Sequence, residues 1–212
     1  RAVRYEQRLS FRIEEGTLGH LGAAVAEQRI SGLSGDRIRH ELQRILQEQQ
    51  PELALQRASD LGFLAAIHPA LEDLDPVNRL SIAAKDSKSG RSGLGESLWL
   101  AALAYPLEKT WGEGLIQRLN MPSSWQRTVR GAIELREMQP RLDIEDISGS
   151  NLFHMLEGFS EDALRAVSMV SSSVKVQQRL GEYLDRLRHI TGDVDGRELQ
   201  AMGISKGPKI SE

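Results

Sequence analysis

The residues able to do chemistry are carboxylates, histidines and arginines, and their spacing decides which chemistry is open to them. Asp73-Leu74-Asp75 has the Asp-x-Asp spacing that can hold divalent ions, but no Gly-rich turn or strand pattern precedes it and Pro76 follows. It reads as a helix-capping turn. Glu145-Asp146 reads as a capping or solvated pair. His20, His40, His68, His154 and His189 are scattered without metal-ligand spacing. No His-Asp dipeptide, G-x-S-x-G elbow or G-x-x-x-x-G-K-[ST] loop occurs, and Gly90, Gly93 and Gly95 lack the Lys-Ser or Lys-Thr such a loop needs. There is no cysteine, which removes disulfide frameworks, thiolate metal sites and cysteine nucleophiles together. By itself the chain is expected to be catalytically silent.

What remains is binding. Net charge is −3, yet Arg1, Arg4, Arg8 and Arg12 crowd the beginning and are joined by Arg29, Arg37, Arg39 and Arg44. Arginine and lysine hold phosphates without reading sequence, so an RNA site, if present, falls in the N-terminal third, with Arg1, Arg4 and Arg8 the first candidates and Arg37 next. Charge reversal at Arg4 and Arg8 is then expected to weaken RNA binding with little loss of helicity. Lys206 and Lys209 flank the Gly207-Pro208 turn and read equally as a second candidate contact or as a solvated turn after a helix capped by Gly203. Trp99, Trp111 and Trp125 could stack on bases, but their helical positions among Leu and Ala point to the core.

The element that must position these groups is the helix in Ser34 to Leu46, SGDRIRHELQRIL. Ile38, Leu42, Ile45 and Leu46 fall on one face. Arg37, Glu41, Arg44 and Glu48 alternate in sign a turn apart on another, where each charge has an opposite neighbour. Ser34 is placed to cap the start, and Asp36 complements the positive end of the helix dipole.

Around it, Ala2 to Phe11 reads as a helix with its arginines on one face and Tyr5 and Leu9 on another, and Thr17 to Arg29 as a second. Pro51 opens a helix through Leu61, residues 61 to 71 look like core, and Asp75-Pro76 opens a helix to about Lys85. Asp86 to Gly95 is Ser/Gly-rich and marks a subdomain boundary. Ser97 to Leu107, Trp111 to Leu119 and a helix to Met138 follow, the last with Ser123 and Gln126 as a capping box. Leu152 to Leu156, Asp162 to Val170 and Val174 to His189 continue the pattern. No stretch alternates as a strand would. With 27% charged and 5% aromatic residues, the fold class is all-α: a multi-helix neck, body and tail array. No run approaches the roughly 20 apolar residues of a membrane span. The chain starts inside a helical pattern without Met and is expected to be a fragment of a cytoplasmic protein.

Four motifs in order carry a resemblance. Arg1-Ala2-Val3-Arg4-Tyr5 and Asp36-Arg37-Ile38-Arg39-His40-Glu41-Leu42 resemble the two neck motifs of the tRNA nucleotidyltransferase and poly(A) polymerase family, bacterial CCA-adding or A-adding type. There they read R-A-V-R-[FY] and E-R-x-x-x-E-L; Asp36 stands for the first Glu. DISGSNLFHMLEGFSEDALRAV is similar to the family's body segment, and ITGDVDGRELQAMGISKGPKI to its tail motif, with Ser211 for the final Gly and a short insertion before Arg197.

The resemblance implies neck helices over 1–50 (an RNA-binding domain of poly(A) polymerase type), a body over 51–140 and a tail over 141–212. It implies that the chain clamps tRNA while Asp36 and Glu41 brace a nucleotide pocket, that Lys206 and Lys209 meet the tRNA elbow or backbone, and that Mg and ATP or CTP are held only with a head domain outside this sequence. A second copy could pair with its apolar helices; no membrane partner is expected. The rival reading is a non-enzymatic helical scaffold whose basic face meets an acidic protein.

Overall fold

Helix α3 (Gly35–Leu46) forms where the periodicity puts it and buries the predicted stripe: Ile38, Leu42, Ile45 and Leu46 are each at most 8% exposed. The computed structural model describes residues 1–72, 78 and 95–190. Among these there is no strand, and no helix is long and apolar enough to cross a membrane. The Asp73-Leu74-Asp75 turn, the predicted helix from Asp75 to Lys85, most of the Ser/Gly stretch and the tail motif lie outside the described residues.

Helix α1 (Ala2–Leu9) stops two residues before Phe11, at Ser10 in the left-handed region with φ 53°. Helix α2 (Glu15–Ala26) begins before Thr17 because the Glu14 carboxylate accepts the Thr17 N–H, and it buries none of its side chains. Pro51 starts α4 (Pro51–Asp60) as its first-turn proline. Helix α5 (Phe63–Ile67) and a 3-10 turn (Pro69–Leu71) follow, with Leu64 and Leu71 buried. α4 packs on α1, α3 and α5, and α3 reaches across to α6 (Glu96–Ala104), whose residues from Leu98 to Ala104 are all buried.

Beyond α6 run α7 (Lys109–Arg118), α8 (Ser123–Glu137), the short α9 (Gln139–Leu142), α10 (Gly149–Leu156), α11 (Glu161–Val170), α12 (Val174–Asp185) and a terminal 3-10 turn (Leu187–His189). α6, α8 and α11 pack on one another around the centre of the core, and α12 packs on α11. Ser148, Ser160 and Ser173 each accept an N–H from the first turn of the helix they precede.

Two expected caps are not made. Ser34 is exposed, where water competes for its hydroxyl, and it makes no capping bond. Ser123 is already inside α8, with Pro122 at the cap position, and the Gln126 amide donates to the Met121 carbonyl. The single helix expected over Val174 to His189 breaks at Arg186, whose φ of −129° is not helical.

Trp99 is core at 2% exposure and Trp125 packs partly against the core. Trp111 departs from the expectation at 48% exposed, because Gly112, Leu115 and Ile116 take the inner face of α7. Its ring meets His68 edge-on at 5.6 Å.

His68 supplies a pH test of this joint. Its Nδ1 accepts the Ala70 N–H at 3.2 Å, and burial, with Arg118 nearby, pushes the imidazole below its ordinary value. The folded state therefore favours neutral His68. Its contribution is complete above about pH 6.5, the unfolded value, and is lost as pH falls through 6.5 towards the folded value. The urea midpoint should fall between pH 7.5 and 5.5, and His68→Gln should flatten that fall; an equally steep profile in the variant would assign the dependence elsewhere.

Candidate nucleic-acid interface

The basic face of α1 is met by the acidic residues of α3 and the turn after it. Arg1 Nε donates to Glu41 Oε1 at 2.8 Å and Arg44 Nη1 to the same oxygen at 3.1 Å. Arg4 Nη1 donates to Glu48 Oε1 at 3.1 Å, while Arg8 Nη1 stands 4.0 Å from that oxygen. Burial pushes the Glu41 carboxyl up, and Arg1 and Arg44 outweigh it and hold the group below the usual carboxylate range.

The alternation expected along α3 is thus only partly realised. Arg44 pairs with Glu41 within the helix, but Glu48 turns to α1, and exposed Arg37 has no hydrogen-bond or ion-pair partner among the described residues.

Arg4 is the surprise within this set. Its side chain is 9% exposed, its guanidinium lies 4.5 Å from the Tyr5 ring centre, and its Nε has no partner among the described residues. Charge reversal there would bury two carboxylates together, at a cost of several kcal/mol. The expected retention of helicity on reversing Arg4 is therefore revised: Arg4 holds α1 to the α3–α4 turn. Arg8 is 57% exposed and remains a surface cation.

Arg1, Arg37 and Glu41 stand at an apolar cavity of about 370 Å³ that Val3, Leu42 and Phe63 help to line. Glu41 Oε2 is buried without a partner among the described residues. Asp36 works on a different joint. Its carboxylate takes the Arg39 guanidinium at 2.7 Å and both its oxygens accept from the Asn120 amide at 3.1 Å. The Asn120 amide, and after it Arg39, hold the Asp36 carboxyl below its ordinary value against the opposing push of desolvation. Arg39 also donates to the carbonyls of Leu119 and Asn120. Asp36 and Arg39 thereby latch the start of α3 onto the α7–α8 turn.

Two further anchors have no local signature in the sequence. Glu6 accepts from Arg57 Nε at 2.8 Å and from the Ile13 N–H at 3.1 Å, and Arg57 is the main reason its carboxyl lies below the ordinary range. Arg118, at the end of α7, donates to the carbonyls of Ile30, Leu33 and Ile67 at 2.9, 2.9 and 3.3 Å.

Glu145 is a solvated side chain, 92% exposed and 3.8 Å from Lys175. Among the described residues no group of three or more His, Asp or Glu side chains could hold a metal ion. Lys206 and Lys209 lie outside the described residues.

Residues 10–74, which run from the end of α1 through α5, match the family described as the probable RNA and SrmB-binding site of polymerase A. The whole chain aligns at 29% identity over 225 residues with an A-adding tRNA nucleotidyltransferase of Geobacter sulfurreducens, and it spans 26% of that protein's length. Among solved structures, a CCA-adding enzyme with CTP superposes over 99% of this chain and 51% of its own, with a TM-score of 0.72 at 20% identity. A Thermotoga maritima CCA-adding enzyme complexed with tRNA_CCA gives the same TM-score and identity over 99% of this chain and 52% of its own. These structures share the helical fold. With its motifs in family order, residues 10–74 matched to an RNA-binding region and a relative aligned along its whole length, the chain is similar to the tRNA nucleotidyltransferase and poly(A) polymerase family.

Proposed function

We propose that this chain is the tRNA-binding region of a nucleotidyltransferase that adds C, A or both to tRNA 3′ ends. The observation that carries the reading is the match of residues 10–74 to an RNA-binding region, in which Arg12, in the link between α1 and α2, and Arg37, on α3, face solvent without hydrogen-bond or ion-pair partners among the described residues. The relatives' printed roles, A addition to tRNA and a complex with tRNA_CCA, supply the substrate class. In this reading 1–50 is the neck, 51–140 the body and 141–212 the tail, and the surface recognises A-form shape and phosphates. Glu41, fixed by Arg1 and Arg44, braces the wall of a nucleotide pocket completed by a head domain, which supplies the carboxylates for Mg and the triphosphate.

The test is fluorescence anisotropy of the chain against a tRNA lacking CCA, with single-stranded RNA of equal length and polyglutamate as controls. The expected result is tighter binding to tRNA that weakens steeply with salt. Arg12→Glu and Arg37→Glu should each weaken it and lower the log–log salt slope by about one, with circular dichroism unchanged. Binding to polyglutamate but to neither RNA would move the chain to the scaffold reading.

A further inference from the structure

Beside the apolar cavity lies a second concavity of different chemistry. It is a polar cleft of about 730 Å³ between α1 and the end of α3 with the turn into α4, lined among others by Arg4, Arg8, Arg44, Glu48, Gln7 and Gln50. We propose that this cleft is an anion site that seats an RNA phosphodiester. The inference rests on the RNA-binding reading above and names the place where one phosphate is held.

Charge is the first argument. Three guanidinium groups, Arg4, Arg8 and Arg44, line the cleft against one carboxylate, Glu48. Two positive charges are left uncompensated. Arg1 and Arg44 share Glu41, and Arg4 takes Glu48 at bonding distance. Arg8 is left at 4.0 Å and makes no hydrogen bond to Glu48 among those formed in the described residues.

Burial is the second argument. A guanidinium has five N–H donors in a fixed fork, and Arg4, only 9% exposed on its side chain, leaves its Nε without an acceptor. A buried cation incompletely satisfied in a concave polar cleft favours an added anion, because low local dielectric strengthens the pairing. Arg8 and Arg44, 57% and 50% exposed, stand where they can close on it from the solvent side. A phosphodiester carries one charge and two free oxygens, which matches the bidentate fork of arginine. The wall from Arg44 through Gln50 also falls inside the matched RNA-binding region.

The experiment uses two readouts on the same chain. The first is tRNA anisotropy at several salt concentrations for wild type, Arg8→Glu, Arg44→Glu and the double variant. Arg127→Glu with Arg141→Glu serves as the control pair, since both residues are exposed and line other surfaces. The double variant should bind at least tenfold more weakly, with a salt slope lower by about two, and the control pair should show a smaller loss. The second readout is thermal unfolding with inorganic pyrophosphate, which should stabilise wild type and leave the double variant unmoved.

If wild type binds tRNA and the double variant binds it equally well with the same salt slope, the cleft is not the phosphate site and the wider reading stands. If wild type fails to bind tRNA but pyrophosphate stabilises it and not the double variant, the anion site stands and the RNA assignment falls. Equal response of both proteins to pyrophosphate overturns the site.

Discussion

Arg118→Ala lowers the unfolding free energy by about 3–5 kcal/mol, the largest effect expected of any substitution outside the apolar core. The arithmetic follows from what one guanidinium does. It donates to the carbonyls of Ile30 and Leu33, in the link between α2 and α3, and of Ile67 at the end of α5. A hydrogen bond to a charged donor contributes about 1.5–3 kcal/mol, and partial access of water to freed carbonyls reduces the sum. Thermal midpoint should fall by roughly 6–20 °C on the usual scaling for a chain of this size. Arg118→Lys should recover only part of the loss, because a compact ammonium cannot span three carbonyls set around a planar fork. A second readout separates loss of the joint from general destabilisation. Arg118 is one of the two causes that push the His68 imidazole down, so the His68 titration seen by NMR should move up in Arg118→Ala. A stability change under about 1 kcal/mol would mean the three bonds are replaced by water at little cost.

That residue also shows where reading the sequence stops. The apolar stripe of α3 and the fully buried α6 were legible because helical periodicity is written locally, in residues three and four apart. The Arg44–Glu41 pair was legible for the same reason. The other partners lie far along the chain: 44 residues separate Arg4 from Glu48, 51 separate Glu6 from Arg57, and 85 and 88 separate Arg118 from Leu33 and Ile30. Nothing in a single sequence fixes such pairings, since they depend on which helix faces which.

Arg4 and Arg8 make the point sharply. They occupy one face of one helix and look equivalent in sequence, yet packing of α1 on α4 buries the first and leaves the second in water. Caps are read no better, because Ser148, Ser160 and Ser173 bond while Ser34 and Ser123 do not. The residue type permits a cap, but the backbone must place it.

Gly35→Ala is the second large effect, and here the local rule and the packing disagree. In a helix Ala is favoured over Gly by up to about 1 kcal/mol, so propensity alone predicts stabilisation. Packing predicts the reverse. A Cβ at this position would lie 2.5 Å from the Arg118 carbonyl oxygen and 3.1 Å from both the Asn120 nitrogen and the Leu119 carbonyl carbon. All three are backbone atoms at the end of α7, so no rotamer change can make room, and α3 must back away. Overpacking of this kind costs about 1–3 kcal/mol. Backing away also stretches the Arg39–Leu119 hydrogen bond, at about 1 kcal/mol, and the Asp36–Asn120 contact that fastens the same joint. The net expectation is a loss of about 2–4 kcal/mol in urea unfolding. Combined with Arg118→Ala, the losses should add to less than their sum, because both release one contact between the start of α3 and the end of α7. α3 carries Arg37, Glu41 and Arg44, so the displaced helix should also bind tRNA more weakly at temperatures where the variant is still folded. A Gly35→Ala protein as stable as wild type, or more so, would show that helix propensity outweighs the close approach and that the joint yields without cost.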